Sequence, residues 1–208
     1  MARRKAVIGA ARHSPDRALD AVRLGDAVKA GRVAALRERA GAGVAIRICY
    51  DGDKLPRPNV AAGQDPAPAG TGAFVESLGY PWRRIAGMKL MHNKFIVRDR
   101  QAVWTGSTNM TNDALSIMEN NIVVFDSVPL ANSYAQVFAE LWEKENFEET
   151  GNIKTESATL TYAGQPATVR VMFSPGCGLE IDTEIAKRVS VAQRRVRICS
   201  LLINSGTL

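Results

Sequence analysis

Strand-like and helix-like spacings of apolar residues alternate along this chain, and the alternation constrains its fold more than any other feature. The stretch Val44–Tyr50 is short and almost entirely apolar, which is typical of a buried strand. Pro129 begins a different pattern, which runs to about Lys144 and places one set of apolar residues on a single helical face: Leu130, Tyr134, Val137, Phe138 and Leu141. Strands that alternate with helices predict an α/β fold.

The same periodicities predict further elements on both sides of these two. A helix is expected over Arg17–Ala40. Residues 51–71, which carry four of the nine prolines, are expected to form a surface loop. The polar turn Arg98–Gln101 should join two strands. The remaining predicted elements are strands at Phe95–Val97, Ala102–Trp104, Asn121–Phe125 and Arg195–Leu202, a hairpin of Ala158–Tyr162 with Thr168–Phe173, and a helix at Leu179–Gln193.

Composition and charge narrow the class of partner. The chain has 208 residues, 46% hydrophobic and 23% charged, which is enough for one globular domain with a core. Its formal net charge of +6 favours an anionic partner, such as a phosphate ester, a nucleic acid or an anionic lipid surface. A mildly basic, solvated surface explains the same charge without a partner. No run reaches the about 18 apolar residues of a membrane span, and no clear signal peptide is visible, so cytoplasmic and secreted locations both stay open.

The cysteines give no sign of a metal site or a disulfide framework. Cys49, Cys177 and Cys199 are odd in number and far apart, and no C-x-x-C pair occurs. Buried reduced thiols are therefore expected, with a Cys49–Cys177 disulfide as the alternative. No metal or other cofactor is indicated.

Residues suited to phosphate chemistry are concentrated in one stretch of the sequence. His92 and Lys94 stand two residues apart on a predicted strand, so their side chains should leave the same face. A neutral imidazole can attack phosphorus, and a neighbouring ammonium can hold the negative phosphate oxygens. Ser107 and Asn109 would add a hydroxyl and an amide donor to the phosphate.

Three further residues extend this pattern. Gly106 would permit a close approach of the backbone. Glu119 would accept the other N–H of the His92 imidazole, which would fix its tautomer and stabilise its cation. Asp99 lies seven residues after His92, with the opposite strand parity, and is expected to brace the turn rather than to touch substrate.

Each of these residues alone has an ordinary explanation, as a surface histidine, a solvated lysine or a polar turn. The joint spacing H-x-K-x4-D-x6-G-S-x-N does not. Six fixed positions should match by chance in roughly one of 10⁵ to 10⁶ such chains, given background residue usage. The sequence therefore favours a functional site.

This constellation resembles the HKD signature of the phospholipase D superfamily. The match comprises His92, Lys94, Asp99, Gly106, Ser107, Asn109, Glu119 and Asn120. The resemblance implies a phospholipase D-like repeat with a mixed, mostly parallel β-sheet flanked by helices, similar to bacterial two-motif phospholipase D-like proteins. It also implies a covalent phosphohistidine intermediate without a required metal. The catalytic residues would be His92, Lys94, Asp99 and Glu119, and the phosphate-binding residues Lys94, Ser107 and Asn109.

The resemblance also implies that half of the active site is missing. Residues 1–150 correspond to a first repeat, with its N-terminal part incomplete, and residues 151–208 to a linking hairpin and the start of an unfinished second repeat. The only other histidine, His13, has no lysine two residues on and is expected to be an exposed polar residue. The second HKD half-site would come from a missing C-terminal part or from a second subunit, and the unfinished repeat favours the first source.

Three functions are compatible with this resemblance. The two-repeat layout and the absence of a dense basic run favour a phosphodiesterase that hydrolyses or transfers phosphatidyl groups, with transient contact at a membrane surface. A dimeric nuclease of the same superfamily would suit the net charge of +6, but the basic residues are scattered and lack interleaved aromatic residues. The third alternative is an inactive, truncated phosphate-binding fragment.

Overall fold

The computed structural model describes residues 10–12, 15–19, 22–23, 26–52, 70–155 and 157–199, with 15–19, 22–23 and 26–30 described by their backbone. His13 and residues 53–69 of the predicted loop lie outside these ranges. The described elements are β1 (Pro15–Leu19), β2 (Val22–Arg23), α1 (Asp26–Gly41), β3 (Arg47–Asp51), α2 (Thr71–Glu76), β4 (Trp82–Ile85), β5 (Lys94–Arg98), β6 (Ala102–Gly106), β7 (Met110–Thr111), α3 (Asn112–Ser116), β8 (Ile122–Asp126), α4 (Val128–Lys144), β9 (Ala158–Tyr162), β10 (Gln165–Val169) and α5 (Gly178–Ser190).

Six of the described strands form the central sheet, in the order β4-β3-β1-β5-β6-β8. Strands β4, β3 and β1 pair in parallel, whereas β1–β5, β5–β6 and β6–β8 pair antiparallel. The predicted α/β class and mixed sheet are confirmed, but within the described sheet parallel pairing is limited to the β4–β3–β1 part. The tight turn between β5 and β6 makes these neighbours antiparallel, because a short hairpin reverses the chain direction.

Strand β5 contributes to two hydrophobic cores because its side chains alternate between the faces of the sheet. Phe95 and Val97 belong to the core that helix α4 covers. Ile96 belongs to a second core, together with Trp104 of β6 and Leu36 of α1. The residues predicted for the apolar face of α4 are all buried: Leu130, Tyr134, Val137, Phe138 and Leu141.

The chain before α1 differs from the prediction of a helix that begins at Arg17. Pro15–Leu19 forms strand β1, which pairs with β3 on one side and with β5 on the other. The helix itself begins at Asp26 and ends at Gly41. A central strand gains backbone hydrogen bonds along both of its edges, and here this outweighs the helix propensity of a segment rich in Ala, Leu and Arg.

The segments 151–155 and 157–177 add residues to the core that α4 covers. Ile153, Ala158 and Phe173 are buried in it. In α5, all of whose residues are described, none is buried. The predicted strand Arg195–Leu202 is absent over residues 195–199, and residues 200–202 lie outside the described ranges. The division of the chain at residue 150 stays a prediction.

Cys49 and Cys177 do not form a disulfide with each other, so that alternative is wrong. Cys49 and Cys177 are buried, as expected, but Cys199 is exposed. The Cys177 thiol donates a hydrogen bond to the main-chain oxygen of Gly151, at 3.2 Å. This bond ties the segment before α5 to the segment that follows α4.

Candidate active site

A cleft of about 550 Å³ opens at the end of the sheet where β5 begins and β6 ends. Distant parts of the chain line it: residues 89–95, the end of β6 at Thr105 and Gly106, Tyr134 of α4, Phe147, and residues 171–175. Residues 171–175 belong to the part of the chain that the sequence predicts to include the start of a second repeat. They form one wall of the cleft that His92 and Lys94 of the first motif also line.

His92 and Lys94 both line this cleft. The strand that was expected to hold both residues begins only at Lys94, so His92 lies just before it. His92 is exposed, whereas Lys94 keeps only 5% of its surface accessible. The Lys94 Nζ donates a hydrogen bond to the main-chain oxygen of His92, at 2.8 Å. An exposed histidine and a buried lysine thus line the same cleft, and an imidazole and an ammonium are groups suited to nucleophilic attack on a phosphate diester.

A buried carboxylate holds the chain on the other side of His92. Asp51, the last residue of β3, is 1% exposed, and its Oδ1 accepts a hydrogen bond from the main-chain N–H of Met91 at 2.9 Å. A buried acceptor used in this way fixes the position of the donor's backbone. The segment that carries His92 is thus attached at Met91 by Asp51 and at His92 by Lys94.

Gly106 brings the end of β6 against the start of β8. Its φ is 146°, and a Cβ atom added there would lie 2.2 Å from the main-chain oxygen of Asn121. The next residue, Ser107, donates its hydroxyl to Asn120 Oδ1 at 2.9 Å and accepts the N–H of Asn121 at 3.0 Å. The Ser107 hydroxyl therefore ties two loops together, whereas the sequence suggested that it holds phosphate.

The other predicted site residues lie outside the lining of the cleft. Asp99 occupies the turn at the far end of β5, with φ 52°, and its Oδ2 accepts the N–H of Arg12 at 2.7 Å. This agrees with the expected bracing of the turn. Glu119 is exposed on the loop after α3, and Asn109 is half-buried after β6. The structure brings His92 and Lys94 together at the cleft, leaves Glu119, Ser107 and Asn109 outside its lining, and places Asp99 at the far end of β5.

Comparison with known protein families identifies the family to which this chain belongs. The family model described as "Cardiolipin synthase, PLD-like domain" matches residues 9–142, a range that spans β1 to almost the end of α4 and contains the whole motif. The chain belongs to the phospholipase D superfamily. The predicted membership of that superfamily is thereby confirmed.

Two relatives in the superfamily carry named activities. The chain is 30% identical to the mitochondrial cardiolipin hydrolase of Xenopus laevis over 101 residues, which cover 49% of this chain and 43% of that protein. It is 29% identical to a probable phospholipase D of Caenorhabditis elegans over 149 residues, 64% of this chain and 26% of that protein. The chain thus spans less than half the length of either relative.

Solved structures of phospholipase D proteins share the fold. Nuc from Salmonella typhimurium, a phospholipase D family member, superposes with a TM-score of 0.52 at 24% identity, covering 68% of this chain and 85% of that one. NucT from Helicobacter pylori superposes with a TM-score of 0.50 at 17% identity, covering 67% and 84%. At these identities the likeness concerns the fold.

Sequence reasoning missed two polar residues of the cleft region, Asp51 and Tyr134. Burial raises the pKa of the Tyr134 hydroxyl, and its side-chain hydrogen bond with Thr105 acts in the opposite direction on that pKa. The sequence pattern places Tyr134 on the apolar face of α4, where its hydroxyl is the one polar side-chain group among the five residues predicted for that face. The pattern places Asp51 in the proline-rich loop, although an acidic residue directly after a buried strand is a signal of a functional position.

Neither a metal centre nor a membrane-spanning helix is found in the part of the chain that the structure describes. No group of three or more histidine, cysteine, aspartate or glutamate side chains there could hold a metal ion. No helix there combines the length and the apolar character needed to cross a bilayer.

Proposed function

We propose that this chain is a phospholipase D-type phosphodiesterase that supplies one of two HKD half-sites and acts on phosphatidyl groups. The observation that carries the proposal is the meeting of His92 and Lys94 at one cleft, with the histidine exposed and the lysine buried. Membership of the phospholipase D superfamily supports phosphodiester chemistry. Names of relatives, a cardiolipin hydrolase and a probable phospholipase D, support a lipid substrate.

In the proposed reaction a ring nitrogen of His92 attacks the phosphorus of the diester. An N–P bond forms, the P–O bond to the leaving alcohol breaks, and that alcohol oxygen takes a proton from the histidine of the second half-site. Water or another alcohol then attacks phosphorus, gives its proton back to that histidine, and releases His92. Either histidine of the pair could serve as the nucleophile.

Lys94 would stabilise the negative oxygens that develop during both steps. Its ammonium is already held in a site of low exposure, so little reorganisation is needed when charge builds up on phosphorus. Asp51 and Met91 would keep the His92 segment in place during the attack. These residues act by position and charge rather than by covalent chemistry.

The half-site role is supported by apolar surface beside the motif. Ile117, Met118, Ile122 and Val123 are exposed by 78%, 59%, 47% and 38%. They flank Asn120, which accepts the hydrogen bond of Ser107. Several exposed apolar side chains close to one another in the sequence are expected of an interaction surface, and a second half-site would cover them. That half-site would come from a C-terminal continuation of the chain or from a second subunit.

Apolar residues in the lining of the cleft suit a lipid substrate. Phe147, Val171 and Met172 would contact the apolar part of a lipid bound with its phosphate near Lys94. A nuclease activity is the second candidate, favoured by the net charge of +6. An inactive phosphate-binding fragment is the third.

The test is turnover by the full chain on phosphatidylglycerol vesicles, on a single-stranded oligonucleotide and on a soluble chromogenic phosphodiester, together with its native mass. His92→Asn should lower any turnover by at least about a thousandfold. Asn132→Ala, on the exposed side of α4, is the matched control and should retain it. Full activity of His92→Asn would show that His92 is not the nucleophile. Turnover of the oligonucleotide alone would favour the nuclease.

A further inference from the structure

Two apolar side chains are exposed to water at the mouth of the cleft, with a cation between them. Met88 is 73% exposed and Leu90 is 41% exposed. Lys89 separates them in the sequence, and both Lys89 and Leu90 line the cleft. Single exposed apolar residues are ordinary, but an apolar pair around a lysine beside a phosphate-type site indicates an interaction surface.

Contacts with three residues from other parts of the chain hold the backbone of this loop, Gly87–Met91. The ring of Phe147 fills the space beside Gly87, since a Cβ atom on Gly87 would lie 2.1 Å from Phe147 Cε1. The N–H of Met88 donates to Glu148 Oε1 at 2.7 Å, and the N–H of Met91 donates to Asp51 Oδ1 at 2.9 Å.

These three contacts hold the backbone of the loop, so a backbone shift that buried Met88 and Leu90 would break them. The exposure of Met88 and Leu90 is therefore a property of the fold, and it is expected to persist until something covers the loop.

We propose that the Gly87–Met91 loop docks the protein on a phospholipid bilayer that contains anionic lipid. Met88 and Leu90 would enter the boundary between headgroups and acyl chains, while the Lys89 ammonium stays at the level of the phosphates. This inference rests on the proposed lipid function, because docking brings the cleft lined by His92 to the headgroup phosphates.

Charge supports a bilayer that contains anionic lipid. The net charge of +6 adds long-range attraction to an anionic bilayer, which strengthens near the surface. A nucleic acid backbone would leave Met88 and Leu90 in water, so that partner gains nothing from them.

Binding is measured by co-sedimentation of the full chain with phosphatidylcholine vesicles, with and without phosphatidylglycerol. The double variant Met88→Ser/Leu90→Ser should bind vesicles containing phosphatidylglycerol at least about tenfold more weakly, because it loses the burial of two apolar side chains. Lys89→Gln should weaken binding about fivefold on these vesicles and leave binding to pure phosphatidylcholine unchanged. Met88→Trp should strengthen binding to both.

The control is Val128→Ser. Val128 is 53% exposed, and the preceding residue Ser127 donates its N–H to Gln101 in the turn at the opposite end of β5 from Lys94. This variant should bind vesicles like the unchanged chain. Equal binding by Val128→Ser and by the double variant would overturn the inference. Light scattering without lipid gives a second test. If the unchanged chain is a dimer and the double variant is a monomer, the loop contacts a second copy of the chain, and the inference is overturned.

A soluble chromogenic phosphodiester separates this inference from the proposed function. Met88 lies outside the residues that line the cleft, so Met88→Ser should turn over the soluble diester at the unchanged rate while it binds vesicles more weakly. Tight vesicle binding by a chain with the native mass of a dimer, without turnover of any diester, would refute the proposed enzyme and leave the docking loop supported. Turnover of the soluble diester with unaltered vesicle binding in the double variant would refute only the docking loop.

Discussion

The carboxylate of Asp51 holds the main-chain N–H of Met91 at 2.9 Å, and so connects the end of β3 to the residue before His92. These two residues are far apart in the sequence. This contact ties the backbone next to the exposed His92 to a buried residue that is not part of the motif.

Asp51→Ala should lower turnover by about 10- to 100-fold, because a shift of roughly 1 Å in a reacting group is enough for such a loss. Asp51→Asn keeps an oxygen acceptor for the Met91 N–H and should recover most of the rate. Separate measurement of kcat and KM should place the loss in kcat. Asp126→Ala, at an exposed carboxylate on β8 that pairs with Arg98, is the control. Unchanged kcat in Asp51→Ala would contradict the positioning role.

Lys94→Met should separate activity from stability. Loss of the ammonium is expected to reduce turnover by about 10²- to 10³-fold, since a preorganised charge at the phosphate is lost. The free energy of unfolding should stay equal or rise, because an apolar side chain of similar length avoids burying a cation. Turnover assays and urea unfolding check the two effects.

The control for Lys94→Met is Lys144→Met. The Lys144 Nζ also donates to a main-chain oxygen, that of Glu149, but at an exposed site away from the cleft. It should change neither quantity appreciably. A large loss of stability in Lys94→Met would show that the lysine serves the fold more than the reaction.

Gly106→Ala should destabilise the fold by roughly 2–4 kcal/mol, because the residue has a φ of 146° and its new Cβ would collide with the main-chain oxygen of Asn121. Gly178→Ala at the start of α5, where a Cβ meets nothing within 4 Å, should be neutral or slightly stabilising. Thermal and urea unfolding of the two variants give the comparison. Equal stability of both variants would mean that β6 and β8 can separate at little cost.

Tyr134 should make stability fall at alkaline pH. Burial raises the pKa of its hydroxyl in the folded chain above the ordinary value of 10.0, so above that pH the unfolded chain loses the proton first and unfolding is favoured. Tyr134→Phe should reduce the decline in unfolding free energy as pH rises past about 10. Tyr162→Phe, at a residue that is 78% exposed, should leave the decline unchanged. Identical alkaline profiles for the two variants would contradict the assignment.

Local patterns in the sequence were sufficient for the elements whose cause is local. The apolar face of α4 could be read directly, because a helix places residues three and four apart on one side. The alternation of Phe95, Ile96 and Val97 between two cores follows from the period of a strand. The two-residue spacing of His92 and Lys94 likewise predicted that both side chains would lie at one site. Both residues line the cleft, although only Lys94 lies in the strand.

Contacts between distant segments decided the rest. Pro15–Leu19 became a central strand because β3 and β5 offer it partners on both sides, which no local propensity reveals. Tyr134 and residues 171–175 reach the cleft from positions far from the motif, and Asp51 contacts the backbone of Met91 in the cleft wall. Asp99 is near His92 in sequence yet lies at the other end of β5.

The sequence by itself determined the spacing of the motif residues and the alternation of strands and helices, since both depend on the spacing of neighbours. The tertiary structure alone decided how the strands pair, which distant side chains support His92 and that Met88 and Leu90 stay exposed. These depend on backbone hydrogen bonds and packing between segments whose order in space the chain's local periodicity does not specify.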